Sequence, residues 1–86
     1  MAYKYDLAVF IGRFQPAHLG HMQVIKLALK SAENVLVLIG SAGEARSHRN
    51  PFYFDERVNM IQNHFEGPDA RRIIFAPLED SAYNDM

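Results

Sequence analysis

Two uninterrupted apolar runs, Leu7-Ala8-Val9-Phe10-Ile11 and Val35-Leu36-Val37-Leu38-Ile39, limit what this chain can fold into more than any other feature. Neither alternates polar with apolar residues, so each reads as a parallel strand covered on both faces. Between them Met22, Ile25 and Leu29 form an apolar stripe, with Ala28 and Ala32 beside it and Gln23, Lys26 and Lys30 off it. That spacing predicts an amphipathic helix over residues 19–32, closed by Asn34. A strand, a helix and a parallel strand are thus complete within 40 residues, and such a crossover is right-handed.

Farther on, Phe54, Val58, Ile61 and Phe65 recur at helical spacing, with Asp55 and Glu56 in the first turn, where the helix dipole favours them. Gly67-Pro68 is expected to stop this helix. A third strand is predicted over residues 72–76, centred on Ile73-Ile74-Phe75, and residues 77–86 read as a polar tail. The order is βαβαβ, a Rossmann-like half of a doubly wound parallel sheet. Half a sheet leaves the first strand with an unpaired side, open to other chains and hence to a homo-oligomer. The expectation is a chain truncated at Met86, whose remainder supplies strands beyond the first.

Eighty-six residues form one small domain at most, burying about 60 to 65% of the unfolded surface. A net charge of −1 gives no electrostatic reason to expect nucleic acid or an anionic membrane as partner, so any bound anion must be met by a local site. The absence of cysteine excludes a disulfide frame, a thiolate metal site and a cysteine nucleophile, and fits a reducing compartment. Apolar runs of five residues are too short for a signal-peptide core or a membrane span, so a cytoplasmic location is expected.

The chemistry gathers in Gly12-Arg13-Phe14-Gln15-Pro16-Ala17-His18-Leu19-Gly20-His21, where the first strand turns into the first helix. Glycine lets backbone N–H groups approach an anion, a helix start presents N–H donors and a positive dipole end, and Arg13 can grip two oxygens at once. His18 and His21, three apart at a helix start, project from the same side. Two imidazoles there suit a phosphoryl group better than zinc, because no third Cys, Asp or Glu stands at a ligand spacing. A second loaded loop, residues 42–52, leaves the carboxyl end of the second strand with Arg46, Ser47, His48, Arg49 and Asn50. Open parallel sheets bind ligands at that edge.

His18-Leu19-Gly20-His21 matches the HxGH signature of the nucleotidyltransferase superfamily, and Gly12-Arg13-Phe14-Gln15-Pro16 resembles the GRFQP form of nicotinamide mononucleotide adenylyltransferases. The likeness continues through Gly40-Ser41-Ala42, Asn50-Pro51-Phe52 and Glu56-Arg57, and Pro77-Leu78 with Tyr83-Asn84-Asp85 is similar to the branch fused to a Nudix hydrolase domain. This resemblance implies that residues 1–86 are the N-terminal part of an adenylyltransferase domain. It implies transfer of AMP from ATP to nicotinamide mononucleotide, giving NAD and pyrophosphate, with Mg²⁺ on the phosphates. It further implies that His18 and His21 stabilise the transferring group, that Arg13 holds ATP phosphate, and that Ile11, Gly12 and Phe14 line the cleft through their backbone. The resemblance also implies that Gly20, Gly40, Ser41 and Asn50 belong to the same nucleotide site and that Arg46, which falls where the family has an Arg-Thr pair, is a second phosphate or mononucleotide contact.

Two departures stand out. Tyr53 occupies the entry to the second helix, where a small capping residue is usual. The family's later ISSTxxR-like segment, whose arginine grips the ATP phosphates, is not among these residues, so the 86 alone are expected to be inactive. Two alternatives stay open: another HxGH transferase with an acceptor such as pantetheine phosphate, and a nucleotide-binding regulatory module without turnover. Histidines at a helix start can also simply cap it. His48 and His64 read as solvent-facing, Arg49 as a weaker site candidate, and Arg57 as reaching the site or pairing with a neighbouring acid. Phe52, Phe54 and Phe65 read as core, and Asp80 and Asp85 as tail residues and not metal ligands, so no protein-held metal is expected.

Overall fold

The computed structural model describes residues 3–42, 48 and 51–78. Strand β1 (Tyr5–Gly12) leads through a turn into helix α1 (Leu19–Ser31), which passes without a loop into β2 (Ala32–Gly40). After the second loop come α2 (Phe54–Gln62), the one-and-a-half-turn α3 (Gly67–Arg71) and β3 (Ile73–Leu78). The three strands form one parallel sheet in the order β1-β2-β3, with Phe10 opposite Val37 and Val37 opposite Phe75. This is the Rossmann-like βαβαβ arrangement expected, with β2 central and one side of β1 unpaired among the described residues.

The sheet has one packed face. Val35, Val37 and Ile39 of β2 and Ile73 of β3 meet Met22, Ile25 and Leu29 of α1 and Ile61 of α2, with Phe65 and Phe14 completing the core. Ala8, Phe10 and Phe75 line its margin. Each such side chain, fully buried, contributes about 1.5–3 kcal/mol. The opposite face differs from the expectation of strands covered on both sides: Leu7, Val9 and Ile11 of β1 are 47, 53 and 38% exposed and Ile74 of β3 is 48% exposed. No helix of the described residues lies against that face, because both long helices pack on the same one. None is long and apolar enough to cross a membrane.

Several boundaries move. Asn34 does not close α1; it lies within β2, where register pairing of Tyr5 with Ala32 pulls the strand start back to the end of the helix. The end of α1 is held from elsewhere by Arg72, just ahead of β3. Its guanidinium donates to the carbonyls of Leu29, Ala32 and Glu33, pairs with Asp69 at 3.1 Å and lies 4.4 Å from the Tyr3 ring centre. Cationic donors on C-terminal helix carbonyls satisfy orphan acceptors and oppose the dipole. Replacing Arg72 by Met is expected to cost about 2 kcal/mol in denaturant unfolding, since the apolar stem is kept and charge-assisted bonds are lost.

The second helix stops at Gln62 and not at Gly67-Pro68, and Phe65 stays in the core from the tight turn beyond it. Gly67, at φ 63°, and Pro68 open α3, where a missing N–H in the first turn costs nothing. Pro77 and Leu78 extend β3 instead of starting a tail. Pro77 is tolerated because β3 pairs only with β2 among the described residues.

Candidate nucleotide site

The carboxyl ends of β1 and β2 lie side by side, Gly12 opposite Ile39, and the two turns leaving them form the candidate site. Gly12 is needed at the first because a Cβ there would approach the ring of Phe14 to 2.9 Å. Phe14 itself takes φ 55° and is buried, its ring against Phe10 at 5.5 Å and His21 at 4.5 Å. The side chain of Phe14 is therefore core, and only its backbone can serve a cleft. Ile11 and Gly12 end β1, and Arg13, next in the chain, is half-buried.

His18 is the N-cap of α1 in extended geometry (φ −139°, ψ 176°), and its Nδ1 accepts from the Gly20 N–H at 3.1 Å. His21 returns the bond: its Nδ1 accepts from the His18 N–H at 3.0 Å. The arrangement is a capping box built from two imidazoles. The rings stack 3.7 Å apart at 24°. With both Nδ1 atoms accepting, each proton sits on Nε2, so the pair presents two N–H donors on the ring edges turned away from the helix backbone. The backbone donors of His18 and Gly20, expected to be available to an anion, are thus taken by the imidazoles, which carry donor capacity outward in their place. Gly20 is confined by this geometry, since a Cβ would stand 3.0 Å from His18 Cε1.

Burial lowers the pKa of His21 below its ordinary 6.5, and the neighbouring His18 lowers it further. Both effects disfavour the charged form of this ring. Because the unfolded chain retains the ordinary value, it takes up this proton first as the pH falls. The contribution to stability is full above pH 6.5 and is lost below it. The urea midpoint is expected to drop between pH 7 and pH 5.5, and His21→Gln to flatten that slope.

At the second turn Gly40 ends β2 and Ser41 takes φ 56°. The Ser41 hydroxyl is buried and has no hydrogen-bond partner among the described residues. Arg57, expected either to reach the site or to pair with a neighbouring acid, reaches the site through its turns, in a buried setting that the sequence did not announce. It is buried in α2, and its guanidinium donates to the carbonyls of Arg13 (2.8 Å), Gly40 (2.7 Å), Ser41 (3.4 Å) and Tyr53 (3.3 Å). Gln15 adds a second tie: its amide accepts from the Phe52 N–H at 2.9 Å and donates to the Phe52 carbonyl at 3.1 Å. Tyr53 is the N-cap of α2 without a side-chain cap bond, and Glu56 accepts from its N–H at 2.7 Å, the reciprocal half of a capping box.

Arg46, Arg49 and Asn50, like Tyr83-Asn84-Asp85, lie outside the described residues. His48 is exposed, and His64 is exposed in the turn after α2 and not on the helix itself. Phe54 packs at the core margin, while Phe52 is half-buried and held through its backbone. A groove of about 410 Å³, lined by Tyr3, Lys26, Lys30 and Arg72 among others, opens at the amino ends of the strands, the wrong edge for a ligand of a parallel sheet.

The profile of the cytidylyltransferase-like family matches residues 9–79, from within β1 to just past β3. The chain belongs to the cytidylyltransferase-like family. Among curated relatives, this cytidylyltransferase-like chain is 46% identical over 84 residues to a nicotinamide/nicotinic acid mononucleotide adenylyltransferase of Acinetobacter baylyi, covering 98% of the chain and 44% of the relative. It is 41% identical over 80 residues to a nicotinamide-nucleotide adenylyltransferase of Saccharolobus solfataricus, covering 91% and 46%. The chain therefore spans about half the length of the curated relatives it matches. The fold agrees with the crystal structure of a bifunctional NMN adenylyltransferase/ADP ribose pyrophosphatase from Francisella tularensis. The TM-score is 0.83 at 40% identity, covering 94% of this chain and 24% of that one. The same Francisella protein matches equally well in a complex with AMP and a manganese ion.

Proposed function

We propose that this chain carries part of the active site of a nicotinamide-nucleotide adenylyltransferase. The observation that carries the reading is the stacked His18/His21 pair, with both outer edges made donors, at the end of the turn that leaves the carboxyl end of β1. Similarity to adenylyltransferases that act on nicotinamide mononucleotide supports the choice of acceptor.

A 5′-phosphate oxygen of the mononucleotide attacks the α-phosphorus of ATP in line. The new P–O bond forms as the bond to the β-phosphate bridging oxygen breaks, and pyrophosphate departs with that electron pair. No proton need be taken from the attacking phosphate, so the protein's task is positioning and charge neutralisation. The Nε2–H groups of His18 and His21 donate to the oxygens of the transferring group, where negative charge is redistributed in the transition state. Arg13 holds ATP phosphate, Gly12 and Gly20 let the backbone come close, and Gly40, Ser41, Arg46 and Asn50 complete the nucleotide side. Among the described residues no three His, Cys, Asp or Glu side chains gather to hold a metal. The proposed Mg²⁺ is carried by the ATP phosphates, as part of the substrate. The branch likeness and the bifunctional Francisella structure support a Nudix domain elsewhere in the full-length protein.

Incubating full-length protein with ATP, Mg²⁺ and nicotinamide mononucleotide is expected to release NAD and pyrophosphate in equal amounts. Product only with phosphopantetheine would reject the acceptor, and saturable ATP binding without pyrophosphate release would reject turnover.

A further inference from the structure

We propose that Arg57, with Gln15 as a second tie, is a positioning residue for adenylyl transfer that fixes the turn after β1 against the turn after β2. Only the kinetic part of this inference rests on the adenylyltransferase reading. With 1% of its surface exposed, Arg57 has no face to offer a nucleotide, so it acts through the groups it holds. Among the described residues those groups lie on three segments: the Arg13 carbonyl after β1, the Gly40 and Ser41 carbonyls at the end of β2, and the Tyr53 carbonyl at the entry to α2.

Two of these acceptors adjoin or belong to residues in the left-handed region. Phe14, at φ 55°, follows Arg13, and Ser41 stands at φ 56°. A non-glycine residue there costs about 1–3 kcal/mol and persists when its surroundings over-determine it. The planar fork of one buried guanidinium supplies that determination for both turns at once. A lysine ammonium, a single point on a flexible stem, cannot span the same carbonyls with the same geometry. The primary amide of Gln15, paired with both backbone groups of Phe52, joins the same two loops a second time, in the manner of a rung between strands.

The consequence concerns geometry more than affinity. Arg13 and the His18/His21 pair sit on the first turn, Gly40 and Ser41 on the second, and in-line transfer requires groups on both to meet one phosphorus. A displacement of about 1 Å between them costs about a hundredfold in rate.

The test is Arg57→Lys in the full-length protein, with steady-state kinetics and amide hydrogen exchange. The expected result is a kcat lowered about 10- to 100-fold with KM for both nucleotides within about threefold of the parent. Exchange should rise about tenfold or more at residues 12–16 and 40–42 while residues 22–29 of α1 keep their protection. Parental kcat and exchange would overturn the proposal, as would exchange raised throughout the sheet with kcat falling only as the folded fraction falls. If Arg57→Lys does not fold, Gln15→Glu carries the test, because it keeps the acceptor for the Phe52 N–H and sets a carboxylate against the Phe52 carbonyl. The same localised exchange with a several-fold lower kcat is expected, and parental behaviour overturns the proposal. A parent protein that forms no NAD removes the adenylyltransferase reading alone; the exchange comparison then decides the clasp.

Discussion

Replacing His18 by Asn in the full-length protein is expected to lower the rate of NAD formation by about 10²- to 10³-fold while leaving the unfolding free energy within about 0.5 kcal/mol of the parent. Asparagine is among the best N-cap residues, so its amide oxygen can accept from the Gly20 N–H as the imidazole does. It has no counterpart of the Nε2–H edge. His18→Ala loses cap and donor together, and should show the same loss of rate with about 1 kcal/mol of stability in addition. The pair of variants separates the two duties that the structure assigns to one ring. If the Asn variant turned over at the parental rate, His18 would be a helix cap and nothing more, and the chemistry would have to be sought elsewhere.

The largest expected effect on stability is at Phe14. Phe14→Ala should destabilise by about 3–5 kcal/mol in urea unfolding, a large share of what a domain of this size has. The side chain is 2% exposed and touches Phe10 and His21, and the Gly12 backbone lies so close to it that no Cβ fits there. Such a site cannot collapse around a smaller residue without moving the turn it supports. Because the ring also lies under His21, the variant should lose the protection of the His18 and Gly20 amides in hydrogen exchange before the sheet opens. A cost below about 1 kcal/mol would mean that Phe14 is not the floor of the turn.

Much of this was legible in the residues. The two apolar runs announced β1 and β2, and the Met22, Ile25, Leu29 stripe announced α1, because continuous and helical patterns differ sharply in period. What escaped was decided by partners distant in sequence. Nothing local says that Asn34 belongs to a strand; the pairing of Tyr5 with Ala32 and the grip of Arg72 on the carbonyls around it do. Gly67-Pro68 ends helices and also starts them, and only Phe65 turning into the core selects the second use. The covering of β1 on both faces was an inference from apolarity alone, and apolarity does not say whether a layer of the described chain lies there. In the site, the two histidines and the glycine-bearing turn were readable from spacing, but their reciprocal bonds were not. Arg57 reads equally as a site residue and as half of an ion pair; what could have chosen between them is its place one turn into an amphipathic helix, on the side of Ile61, where a charged residue needs carbonyls to be buried.

Arg72 sets a clock on the making of this molecule. The carbonyls it holds at Leu29 and Ala32 are translated 43 and 40 residues before it. At about 5–20 residues per second, the ribosome leaves the tail of α1 without its cation for roughly two to nine seconds. Through that interval the junction between helix and strand keeps the bond from the Ala32 N–H to the Ala28 carbonyl but lacks the donors of Arg72.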